Sequence, residues 1–80
     1  MSTDETKIIS FFFDDYYSAS WAINATGTAH RLQQIVPAYR RGMLGISTMI
    51  GYWAVFPADS WVEDQFRSKF PNINSLNSTR

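Results

Sequence analysis

Cysteine is absent from this 80-residue chain. Disulfide staples, Cys-ligated zinc, iron-sulfur clusters and a thiol nucleophile are therefore excluded, and the compartment cannot be read from redox chemistry. Histidine occurs once, as His30. Charge is also scarce, at 18% of residues against about 25% in typical globular chains. Seven basic residues cancel seven acidic ones, so no global excess points to nucleic acid and no dense basic patch is available for phosphate. Internal repeats, heptads and long low-complexity runs are missing. Asp4 and Glu5 precede Lys7, which does not fit the basic start of a secretory signal, and Asp14 and Asp15 do not fit an acid-poor transit peptide. A chain this short makes one small domain at most, with little surface to bury.

What is abundant is aromatic and apolar side chain, with aromatics at 16%. From Gly42 to Ala58 the chain reads GMLGISTMIGYWAVFPA, without an ionisable carboxylate, amine or guanidinium. As a helix that stretch is roughly 25 Å long, close to a bilayer core of about 30 Å. Arg40 and Arg41 can snorkel on one side, and Trp61 is an amphipathic ring suited to a headgroup boundary on the other. These features place a transmembrane helix at residues 38–58. The alternative is a buried core helix of a soluble domain, which the rest of so short a chain can scarcely surround.

The flanks read as helical pieces. Ser2 and Glu5 have capping-box spacing, Ile9, Phe13 and Tyr16 recur at helical intervals beside Phe12 and Trp21, and Gly27 is a stop. Aromatic and β-branched density leaves a strand at Ile8 to Phe13 open as an alternative. Leu32, Ile35 and Val36 share a face before Pro37, which marks a bend or a first helical turn. After the apolar stretch Pro57 ends it, and Ser60 and Glu63 form a second capping box. Val62, Phe66 and Phe70 then line one side of a short amphipathic helix closed by Pro71. The expected fold class is all-α: a single transmembrane helix with flanking interfacial amphipathic helices. Residues 1–37 form an N-terminal interfacial segment, 38–58 the span, and 59–80 a C-terminal helix and tail.

Catalysis has little to work with. His30 stands without a second histidine, and the adjacent pairs Asp14-Asp15 and Glu63-Asp64 lack the i,i+3 or i,i+4 spacing that makes carboxylates converge. No catalytic, cofactor-binding or metal residue is assigned. Gly42, Gly45, Thr48 and Gly51 form a small-residue row at three-residue intervals, which on a spanning helix is a docking face for a neighbour. Arg40, Arg41 and Trp61 are its interfacial anchors. Arg31, Arg40 and Arg41 before the span and Asp59, Glu63 and Asp64 after it put the N-terminus on the inner side. The triplets Asn24-Ala25-Thr26 and Asn77-Ser78-Thr79 match the glycosylation pattern, which arises often by chance.

The stretch from Ile35 to Asn74 resembles the subunit 10 family of mitochondrial ubiquinol-cytochrome c reductase, complex III. The likeness lies in Pro37-Ala38-Tyr39 before the apolar run, Gly42 and Gly45 at its start, Trp61 at its exit and Phe70-Pro71 at the close. Residues 1–30, FFFDDYY among them, lie outside it. The resemblance implies a non-catalytic accessory subunit of the mitochondrial inner membrane, its N-terminus toward the matrix, without haem or other cofactor. Its partners would be the membrane and other respiratory-chain subunits, near the membrane anchors of the Rieske and c-type cytochrome proteins, with no nucleic acid. The rivals are an accessory subunit of complex I, cytochrome oxidase or ATP synthase, and a small soluble α-helical partner-binding module.

Overall fold

Ile8 to Phe13 is extended in the computed structural model, which describes residues 7–79. Strand β1 (Lys7–Phe13) turns Ile9, Phe11 and Phe13 into the core, a period of two that suits its β-branched and aromatic content better than a helix does. Asp14 and Asp15 stop it. The Asp15 carboxylate accepts the Ser18 backbone N–H at 2.7 Å and so caps helix α1 (Tyr16–Thr26). Gly27, at φ 70, ends α1 in the left-handed conformation that glycine adopts without strain. A 3-10 turn at Ala29–Arg31 leads to β2 (Gln34–Arg41), a hairpin end leads to β3 (Ser47–Pro57), and α2 (Ser60–Lys69) and β4 (Ser75–Thr79) complete the chain.

The strands form one antiparallel sheet in the order β2-β3-β1-β4. With the helices after β1 and β3, this is the βαββαβ connectivity of the ferredoxin-like, split-βαβ arrangement. Pro37 sits in β2, at the sheet edge, where a missing amide donor is tolerated. Both helices cover the same face of the sheet. Phe66 of α2 is fully buried at the centre, stacked on Phe11 at 4.2 Å and tilted against Phe56 at 5.3 Å. Ala19, Ala22, Ile23 and Thr26 are the buried stripe of α1, and small alanines let that helix approach the sheet closely.

This architecture corrects the all-α expectation. Residues 38–58 are not a transmembrane helix but the end of β2, the hairpin loop and all of β3. The physical reason lies in the position of β3 between β2 and β1: a central strand of mainly apolar, β-branched and aromatic residues is as free of charge as a lipid-spanning helix. Among the described residues no helix is long and apolar enough to cross a membrane. The flanking helices are likewise not interfacial. The helix read from Val62, Phe66 and Phe70 is present as α2, and its apolar face closes on the sheet. Gly27 stops α1 as expected, and Ile8 to Phe13 takes the strand alternative. The capping box at Ser2 and Glu5 lies outside the described residues.

Candidate docking surface at the hairpin end

Register builds this surface. Ala38 pairs with Gly51 and is buried, whereas Tyr39 pairs with Met49, which leaves Ile50 as an extra residue in β3. Such a bulge bends and twists a hairpin locally. Beyond it every residue from 39 to 50 is exposed. Three ladder steps from Tyr39 to Arg41 carry the hairpin about 10 Å past the buried Ala38 and Gly51 pair before the loop begins.

The loop closes on itself, with Gly42 N–H donating to the Ile46 carbonyl at 2.7 Å around the 3-10 turn Met43–Gly45. Leu44 and Gly45 both have positive φ, at 67 and 74. Glycine is suited to that region; leucine is not, and an L-residue there carries a strain of roughly 1–2 kcal/mol. Leu44 is nevertheless 93% exposed, Met43 87% and Ile46 63%, with Tyr39, Met49 and Ile50 exposed beside them. Burying a Leu or Met side chain is worth about 1.5–3 kcal/mol, little of which the free chain realises at Met43 and Leu44. Clustered exposure of this kind marks an interaction surface.

The small-residue row does not exist as a row, because it presupposed helical geometry. Gly42 and Gly45 stand in the hairpin loop, Thr48 pairs with Arg40 in the ladder, and Gly51 lies within the sheet. Gly51 serves packing instead: a Cβ there would come within 2.6 Å of the Phe12 ring, and closer still to the Phe13 carbonyl oxygen. Phe12 is held over Gly51 on the sheet face that the helices leave uncovered, edge-on to Trp53 at 5.4 Å. Arg40 and Arg41 are exposed near the hairpin end, and as neighbours on a strand they project to opposite faces. Trp61 is distant from them, in the first turn of α2 beyond the far end of β3, with its ring tilted on His30 at 5.7 Å. Arg31 reaches Asp59 at 3.1 Å beside it, so this corner ties the turn after α1 to the start of α2.

The six large apolar residues of the hairpin end escaped the sequence reading. Their signal was punctuation: Gly42, Gly45 and Ser47-Thr48 stand between the Ile35-Val36 segment and the apolar residues from Met49 onward, which is hairpin chemistry. Reactive geometry is sparse elsewhere. An open groove of about 680 Å³ between α1 and the segment after α2 is walled by Tyr17, Trp21 and Phe70, with Asp14 its one charged side chain. Among the described residues no three His, Asp or Glu side chains converge to hold a metal. Comparison with protein-family models, with curated proteins and with solved structures finds no match to this chain.

Proposed function

We propose that this protein is a non-catalytic docking module that attaches to a larger assembly through the exposed end of its β2–β3 hairpin. The observation that carries the reading is the continuous exposure of residues 39–50, rich in large apolar side chains, on a fold whose core is complete without them. A hairpin held in register on a four-stranded sheet is a rigid presenter of such side chains, and it contributes contact area rather than chemistry. The resemblance to complex III subunit 10 implies an accessory role of this kind with a respiratory complex as host, although the spanning helix it presumed is strand β3 here. Attachment here runs through a hairpin.

Native-gel migration of the tagged full chain from cells tests the reading. The wild-type protein is expected to run with a larger assembly, identified as complex III by its activity stain, and Met43→Ser/Leu44→Ser to run as the free chain. Trp53→Ser, on the uncovered sheet face, should leave the migration unchanged. Equal migration of wild type and the hairpin variant refutes the reading, and release by Trp53→Ser alone transfers the docking role to the sheet face.

A further inference from the structure

Leu44 poses a specific question. The loop has glycine at positions 42 and 45, yet the left-handed position between them, the most exposed of the large apolar side chains, carries leucine. Backbone strain retained where glycine would relieve it, on a side chain that packs on nothing in the free chain, indicates that the side chain acts outside the fold. What it meets is constrained by the shape around it. A groove on a protein takes one face of a hairpin, whereas here exposure extends to both faces of residues 39–50 and to the loop at their end. A medium that surrounds the tip satisfies that geometry, and one that is apolar within and anionic at its rim satisfies the side chains.

We propose that the hairpin end inserts shallowly into the interface of an anionic phospholipid bilayer, with Met43, Leu44 and Ile46 in the acyl boundary and Arg40 and Arg41 on headgroup phosphates. The inference rests on the docking reading for its surface, the hairpin end, and takes a bilayer and not a protein groove as what that surface meets. Its reach suffices: the paired residues Tyr39 to Arg41 carry the loop about 10 Å clear of the buried Ala38 and Gly51 pair, so Met43, Leu44 and Ile46 can enter the boundary while the body of the sheet stays in water. Tyr39 stands beside the arginines, where an aromatic ring with a polar tip belongs at a headgroup boundary. Electrostatics agree as well. Residues 39–50 carry two guanidinium groups and no carboxylate. Asp14 and Asp15 follow the end of β1, where Phe13 pairs with Tyr52, so they stand behind the protruding end, and the Asp15 carboxylate is engaged by the α1 backbone. The chain is neutral as a whole and positive at its apolar tip, a distribution that orients the tip toward an anionic surface. Insertion of this kind is one-sided and needs no spanning helix.

Flotation of the full chain with phosphatidylcholine:phosphatidylserine vesicles at 7:3 tests the proposal. The wild-type protein should float. Arg40→Ser/Arg41→Ser should lower the partition coefficient about thirtyfold, and Met43→Ser/Leu44→Ser about a hundredfold or more. Pure phosphatidylcholine vesicles or raised salt should reproduce the arginine effect. Because the chain lacks cysteine, Leu44→Cys carries a single environment-sensitive fluorophore. Its emission should shift to the blue and become protected from an aqueous quencher on vesicles, while a label at Ser68→Cys, exposed on α2, should do neither. The proposal is overturned if the wild-type chain stays with the buffer, or if it floats while the label at position 44 remains open to water. Absence of vesicle binding, together with loss of native-gel migration in Met43→Ser/Leu44→Ser, overturns the bilayer and retains the docking reading. A wild-type dimer in light scattering that this variant abolishes overturns it in favour of a second copy of the chain.

Discussion

Replacing Leu44 with glycine separates folding from docking at one residue. At φ 67 and ψ 15 the leucine backbone lies in the left-handed region, at a cost of roughly 1–2 kcal/mol that glycine does not incur. With 93% of its surface already in water, the side chain forfeits almost no buried area when removed. Against the relief stands the greater freedom of glycine in the unfolded chain, about 0.5–1 kcal/mol. The balance favours the folded variant by roughly 0–1.5 kcal/mol, or a rise of a few degrees in Tm on a scale of about 4–8 °C per kcal/mol for a domain of this size. Urea titration followed by tryptophan fluorescence measures it. Leu44→Gly should be at least as stable as the wild-type chain and should dock more weakly, because the apolar area offered at the tip shrinks. A loss of stability greater than about 1 kcal/mol would refute the reasoning, since it would mean that Leu44 packs against the free protein. Gly45→Ala provides the reverse case: nothing lies within 4 Å of the added Cβ, and φ 74 alone should cost about 1 kcal/mol.

Phe66→Ala removes the ring on which Phe11 and Phe56 pack, with an expected loss of about 3–5 kcal/mol, comparable to the whole stability of a marginal 80-residue domain; calorimetry should find little cooperative unfolding left. Gly51→Ala forces a methyl group against the Phe12 ring and the Phe13 carbonyl, and a cost of about 1–3 kcal/mol with an altered Trp53 emission is expected in urea titration. Asp59→Ala removes both the cap on the Trp61 N–H at 2.9 Å and the partner of Arg31. It should cost about 1–2 kcal/mol by the same titration, whereas Ser60→Ala should stay within about 0.5 kcal/mol of wild type. Equal losses at positions 59 and 60 would return the cap of α2 to Ser60.

Local signals were read where they are local in origin, except that the cap of α2 is Asp59, one residue before the Ser60 expected from the capping-box spacing. Gly27 ends α1 through its own backbone freedom, and Val62, Phe66 and Phe70 share a side because the helix repeat puts them there. The spacing of Ile9, Phe13 and Tyr16 misled, because the first two are also an even number of residues apart and so share a strand face too. The uncharged run from Gly42 to Ala58 fitted a bilayer as well as a central strand, for both exclude charge by denying it water. Only the pairing of β3 with β2 and β1, a property of distant residues, separates them. Pro37 carried the missing information: as an edge residue it fits β2, but nothing local says that β2 is an edge. At the candidate surface, Arg40, Arg41, Gly42 and Gly45 were singled out as parts of a helix. The structure gathers them at a hairpin end, together with Met43, Leu44 and Ile46, whose exposure no sequence period could have announced.

The central place of β1 has a consequence for how the chain is made. Ile9 pairs with Phe56 and Phe11 with Ser75, so β1 leaves the ribosome well before either of the strands that flank it. Until they emerge, Ile8-Ile9-Ser10-Phe11-Phe12-Phe13 is an uncharged, proline-free segment of high β-propensity, the composition that nucleates cross-β aggregation. Lys7 on one side and Asp14-Asp15 on the other are placed as gatekeepers against that fate. Translation that stalls before β4 would leave one edge of β1 open to any other nascent copy, so the yield of this protein should depend on β4 being made.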